Sequence, residues 1–267
     1  MAQAISLSKQ HTQSHWWATL LRQIVFYVIL LLVWEGLARS GFWPRFLFPG
    51  PLEVGQSLLA NVQTGVFFIA ILTSVSRLAI GYSISLVLGI CLGLFVGLNR
   101  YAKETLGSLV LGFQALPSVC WVPMALLWFS LSEKAMIFVV LMGALFSIII
   151  GVEAGVRNTP PVYIKAARNM GAKHLNLAVH VVLPAALPSI ITGLKQGWTF
   201  AWRSLLAGEL IYATVSLGGL LEMGRSFLDV PQMFAVMVTI VVVGVLIDSF
   251  IFGPLERTVR TRWGFEQ

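Results

Sequence analysis

From residue 66 to residue 98 the chain runs 33 residues with a single charged side chain, Arg77. A stretch of that length and polarity has few places to go. An α-helix rises about 1.5 Å per residue, and about 20 apolar residues cross the hydrocarbon core of a bilayer. Five further apolar runs lie at about 22–38, 105–129, 135–156, 186–212 and 233–253. They are continuous, whereas barrel strands alternate apolar and polar residues. The sequence therefore predicts an all-α integral membrane protein with six transmembrane helices. The run at 66–98 exceeds one span, so it tilts or begins outside the hydrocarbon.

Composition agrees. Only 11% of the residues are charged, against roughly 25% in soluble domains. The net charge of +7 raises the question of nucleic acid. The basic residues, however, gather in the short segments between apolar runs, and no reading motif accompanies them, so no nucleic-acid partner is expected. Cys91 and Cys120 both lie inside apolar runs and read as buried thiols, not as a disulfide or metal framework. The opening MAQAISLSKQHTQSHWW is polar, and the first apolar run ends in WEGLARSGFW without a small-residue cleavage site. That run reads as a retained span.

Orientation follows from Lys and Arg. Lys9 and Arg22 precede the first run, Arg100 and Lys103 follow the second, Arg157, Lys165, Arg168 and Lys173 follow the fourth, and Arg257, Arg260 and Arg262 follow the sixth. The other side holds Arg39, Arg45, Lys134 and Arg225, offset by Glu53, Glu133, Glu222 and Asp229. The more basic side is expected to be cytoplasmic, with both termini on it.

Small residues recur every fourth position: Gly89, Gly93 and Gly97; Gly143, Ser147, Gly151 and Gly155; Gly193, Gly197 and Ala201. Such residues share a helix face and let backbones approach closely, which predicts a tight bundle. Pro117 and Pro123 are expected to kink or interrupt the third run, because each removes a backbone donor.

The chain has no GxxxxGK[ST], HExxH or GxSxG, and no Cys/His cluster with metal spacing. His11, His15, His174 and His180 read as solvated residues. Neither catalytic residues nor a cofactor or metal are expected here. Charges inside the runs are costly and need an explanation. Glu35 lies near the outer end of the first run and Lys195 near the inner end of the fifth. Arg203 falls near the middle of the fifth run and admits two readings. One is an internal ion pair with Glu209 or Asp248, weighed first; the other is a cation facing a pathway for an anion. Arg77 shares the second reading.

One insert is too polar for a span: YIKAARNMGAKHLNLAVHVVLP, Tyr163–Pro184. It reads as a short helix, a turn at Gly171 and a second short segment, with Pro184 at the start of the next helix. Ala166 and Ala167 leave a slim helix surface. This stretch resembles the cytoplasmic signature loop of binding-protein-dependent ABC transporter permeases. In that family an EAA triplet is followed by three residues and a glycine, then nine residues, an isoleucine, any residue and LP. Here the triplet is Lys165-Ala166-Ala167, the glycine is Gly171, and Val181-Val182-Leu183-Pro184 closes the motif. Lys165 reverses the charge of the usual glutamate.

The resemblance implies a type I importer fold whose loop, at 157–184, holds a coupling helix seated in an ATPase subunit. Tyr163, Lys165, Ala166, Ala167, Gly171, Ala172, Leu183 and Pro184 would carry that contact. FLFPGPLEV at 46–54, FQALPSVCWVPMALLWF at 113–129, AWRSLLAGELI at 201–211 and DSFIFGPLERTVRTRWG at 248–264 are similar to the nitrate, sulfonate and taurine branch. Implied partners are two ATPase subunits carrying ATP and Mg, a second permease copy and an extracytoplasmic solute-binding protein. The implied substrate is a small anion or zwitterion, aliphatic sulfonate first, with nitrate, taurine, bicarbonate and thiamine precursors open. Arg77, Phe113, Gln114, Leu116, Pro117, Arg203 and Glu209 are the pathway candidates. The loops near Phe46–Glu53 and Glu222–Pro231 are candidates to touch the binding protein. The implied organisation is a cytoplasmic segment 1–21, a first span and outer loop 22–64, a core 65–253 and a cytoplasmic tail 254–267, in a bacterial inner membrane. A gradient-driven carrier or channel, and a membrane-embedded enzyme, are the rivals.

Overall fold

The computed structural model describes the backbone of residues 2–44 and 46–262. Arg45 and the tail beyond 262 lie outside the described residues, as do the side chains of Lys9, His11, His15, His174, Arg260 and Arg262. The described chain is helical throughout: α1 Ala2–Arg39, α2 Pro51–Gln63 and α3 Val66–Leu98 come first. A bent pair follows, α4 Arg100–Gln114 and α5 Ser118–Phe129. Then come α6 Glu133–Arg157, α7 Pro161–Asn169, α8 Leu183–Glu209, α9 Leu217–Ser226 and α10 Val230–Ile247. A π turn, Asp248–Phe252, carries α10 into α11, Gly253–Arg262.

Among the described residues five helices are long and apolar enough to cross a membrane, and the bent pair makes a sixth if it counts as one span. The interruption expected at Pro117 is present in the run at 105–129. That run is two arms turned by 94° rather than one crossing helix. Pro117 lies at the break, extended at φ −56° and ψ 134°. Its ring removes a donor and disfavours helix in the residue before it, so the turn forms there. Pro123 does not kink anything. It sits in the first turn of the α-helical part of α5, Trp121–Phe129, where the missing N–H costs nothing. The polar opening is likewise a continuation of α1 rather than a separate element.

α6 is the central helix, with most of its apolar stretch buried, whereas the membrane-length part of α1 is mostly exposed and meets the rest of the chain near its end, where Ala38 is buried and Trp34 packs on Phe234. The small-residue ladders explain the difference. A Cβ at Gly89, Gly93 or Gly97 of α3 would lie 2.6–2.8 Å from Ile148, Val152 or Val156 of α6. The two helices therefore run side by side in the same direction. On its other face α6 meets α8 antiparallel. Gly151 lies against Gly193, Gly155 against Ala186 and Gly143 against Ser204. Lipid tails are as apolar as leucine, so such contact-rich crossings, not the hydrophobic effect, hold the three helices together. Around them Leu78, Val140, Ile148, Ala201 and Leu205 are fully buried.

Cys91 and Cys120 are both exposed on the chain's surface, which corrects the reading of buried thiols. Apolar runs do not say which face of a helix its neighbours cover.

Candidate functional site

Three arrangements could carry function. The first is the segment between α6 and α8. Pro160 and Pro161 start α7, where a missing N–H is tolerated. After Asn169 the chain turns through Gly171 at φ +88°, a region that disfavours side chains. Ala172 N–H donates to Ala167 O at 2.9 Å and closes the turn. His174–Leu177 and a π turn, Ala178–Val182, then lead into α8, with Pro184 in its first turn. Tyr163, Lys165 and Ala166 are exposed, Ala172, Leu183 and Pro184 half-buried. Ala167 is buried on the chain's own side, so only Ala166 of the alanine pair faces outward.

The second arrangement is a cavity of about 410 Å³ at the bend of α4 and α5, closed by α6 and α8. The sequence-predicted Phe113, Gln114, Leu116, Pro117 and Arg203 all line it. Trp121, Phe146 and Phe200 join them. Gln114 and Ser147 exchange hydrogen bonds at 3.0 and 3.3 Å, which pins the end of α4 to α6. Phe113 packs on Trp121 and Phe146 with ring centroids 5.7 and 5.5 Å apart. Arg203 is exposed in this cavity and has no acidic partner among the described residues. The ion pair weighed for it does not form. Glu209 is taken by Arg77 at 2.9 Å, and Asp248 by Lys195 at 3.4 Å. Along α8, Glu209 lies six residues past Arg203, on a different face.

The third arrangement is a buried charge node at the opposite end of the bundle from α7. Arg77 donates Nε to Glu133 Oε2 at 2.6 Å, Nη2 to Glu133 Oε1 at 2.5 Å and Nη1 to Glu209 Oε1 at 2.9 Å. Its Nη2 also reaches Thr214 Oγ1 at 3.1 Å, and the guanidinium lies over the Tyr212 ring. Ser74 Oγ and the Gly218 N–H complete the shell of Glu209. Arg77 and Glu209 thus lie outside the cavity, with their charges taken up by each other and by Glu133. A fully satisfied buried pair is stable only while every partner remains. Glu133, 56 residues from Arg77, gave no signal in the sequence beyond its own charge.

On α9, Arg225 donates to the Glu222 carboxylate and holds its pKa below the usual carboxylate range. Glu35 is bound by Arg39 one turn on. Among the described residues no three His, Cys, Asp or Glu gather to hold a metal.

Known proteins agree with this architecture. The model of the family described as "binding-protein-dependent transport system inner membrane component" matches residues 85–261. The bicarbonate transport system permease protein of Synechococcus elongatus is 31% identical over 239 residues, covering 83% of each chain. The taurine transport system permease protein of Escherichia coli is 27% identical over 242 residues, covering 87% of this chain and 88% of its own. In three dimensions the chain superposes on a chain of the MetNI methionine ABC transporter in an inward-facing conformation. The TM-score is 0.65 at 22% identity, over 73% of this chain and 96% of that one. The fold is that of a type I ABC importer permease.

Proposed function

The chain belongs to the family of binding-protein-dependent transport system inner membrane components, and from that premise we propose that it is the transmembrane permease subunit of an ATP-driven importer. The observation that carries this is the segment at 161–184. A short helix with Tyr163, Lys165 and Ala166 exposed projects from the basic end of the bundle, directly continuous with α6 and α8. Both helices belong to the tightly packed centre, so a force on α7 reaches the cavity through rigid elements. The basic residues at this end favour the cytoplasmic side, where two ATPase subunits would supply ATP and Mg. The second permease copy and the extracytoplasmic binding protein are read from the family resemblance.

The substrate in this reading is a small anion or zwitterion. Aliphatic sulfonate is preferred on the sequence resemblance, ahead of nitrate, taurine, bicarbonate or a thiamine precursor. Arg203 is the pathway cation, with Phe113, Gln114, Leu116 and Pro117 shaping the passage. Arg77 and Glu209 brace α3, α6 and α8 at the outer end. The core is 65–253, with the coupling segment 157–184 within it. This chain performs no covalent chemistry; hydrolysis occurs in the ATPase.

Proteoliposomes containing the whole complex test this. Substrate should accumulate only with ATP and continue when ionophores collapse all gradients. ATP-independent accumulation abolished by an ionophore would favour a gradient-driven carrier.

A further inference from the structure

A cavity of about 270 Å³ opens at the basic end of the bundle, where α3 and α6 end and α4 begins. Val96, Val110, Ile149 and Ile150 form its apolar wall, and Lys103, Ser108 and Arg157 stand on its rim. We propose that it binds an anionic phospholipid of the cytoplasmic leaflet, with the phosphate on Lys103 and Arg157 and the start of one acyl chain on the wall. Such a site requires only that the chain span a bilayer; neither the ATPase nor the transported substrate enters it.

The rim carries more cation than it can neutralise. Lys103 of α4 and Arg157, in the last turn of α6, both reach the Glu153 carboxylate, at 3.7 and 3.4 Å. Glu153 is largely buried, while Lys103 and Arg157 keep 38% and 54% of their side chains exposed. The other acid on the lining, Glu104, is bound by Arg100 at 2.9 Å. Two cations thus share one carboxylate, and one positive charge has no counter-ion among the described residues. An ammonium has three donors and a guanidinium five, so a single acid leaves most of them open. Ser108 Oγ adds a hydroxyl that makes no hydrogen bond among the described residues.

The wall decides between a lipid and a free anion. A free phosphate would be satisfied by the rim alone and would leave the apolar surface beneath it uncovered. A phosphodiester brings its own chain to that surface, and the exposed Leu111 continues it toward the lipid. The height fits as well, because Lys and Arg at the basic end of a span keep their stems in the apolar layer and their charges among the headgroups. The cavity is separate from the one at Arg203. Phe146 lines that cavity, Val110 and Ile149 line this one, and the three pack in one buried cluster that forms the partition.

The full chain, purified in detergent with whatever subunits it retains, would be titrated with phosphatidylglycerol and with phosphatidylcholine of the same chain length. Bound lipid would be counted by native mass spectrometry. One phosphatidylglycerol per chain should bind about fivefold more tightly than phosphatidylcholine, the effect of one uncompensated charge. Lys103→Gln and Arg157→Gln should each weaken that binding about fivefold. Glu153→Gln should tighten it about fivefold, because the competing carboxylate is gone. Ser108→Trp, which fills the cavity and keeps the charges, should abolish it. Unfolding midpoints without lipid separate loss of the site from loss of the fold, and should Ser108→Trp fail to fold, the increase with Glu153→Gln still decides. Equal binding of the two lipids, or binding indifferent to Lys103→Gln and Arg157→Gln, would overturn the site. Weaker binding by Glu153→Gln would assign the charge cluster to structure. Displacement of phosphatidylglycerol by an equal concentration of inorganic phosphate would overturn a phospholipid as the occupant.

Discussion

Gly151 of α6 and Gly193 of α8 meet backbone against backbone, each occupying the space that a Cβ on the other would need. This crossing joins the two helices that flank the exposed segment at 161–184, and in the proposed coupling it would pass motion of that segment into the bundle. Gly151→Ala should therefore cost about 1–3 kcal/mol, the range for overpacking a filled core. Gly112→Ala, where nothing lies within 4 Å, should be neutral or slightly stabilising. Thermal unfolding midpoints of the two variants check the contrast.

Removal of Arg77 leaves Glu209 fully buried without its cation. Arg77→Met should destabilise the chain by about 3–5 kcal/mol. Adding Glu209→Gln should recover part of the loss, because the stranded charge is then gone. A double-mutant cycle should show a coupling of about 0.5–3 kcal/mol. Strict additivity would mean that the two side chains do not form the node.

Gly171 has φ +88° and open space where a Cβ would go. Gly171→Ala should thus act through backbone strain alone, about 1–2 kcal/mol, confined to the turn after α7. Assembly with the ATPase should persist while the substrate moved per ATP hydrolysed falls. Normal uptake by Gly171→Trp would contradict a coupling role for this turn.

Lys165 is exposed on α7. Lys165→Glu should leave stability within about 0.5 kcal/mol. ATPase affinity should change about two- to fivefold, the scale of an exposed ion pair, and the change should shrink in high salt. Affinity measured at two ionic strengths separates this electrostatic effect from a packing effect.

Arg203 has no ion pair among the described residues, so Arg203→Gln should leave the unfolding midpoint nearly unchanged while uptake falls. A large loss of folded protein would assign Arg203 to structure rather than to the pathway.

Much of this fold is legible in the sequence because lipid imposes a length and a composition on each crossing. The run at 66–98 coincides with α3, and the glycine ladders name the faces that meet. The exposed segment is legible because its glycine and prolines each impose a local backbone geometry. The partners of charged side chains were not. Arg77 joins Glu133 and Glu209 across 56 and 132 residues, and only the helix packing brings them together. The same limit applies to Arg203, whose expected partners are claimed by Arg77 and Lys195. Hydropathy reports 105–129 as one apolar run, because a bend of 94° changes direction without changing composition. The rings of Trp121, Phe146 and Phe200 come from three separate helices and converge only after that bend.

The most direct test is to purify the tagged chain gently from its native membrane and identify its stoichiometric partners by mass spectrometry. The account predicts an ATPase subunit in equal number with this chain, and an extracytoplasmic binding protein whose ligand names the substrate. Recovery of the chain alone, under conditions that keep comparable complexes intact, would contradict it and leave the segment at 161–184 without its partner.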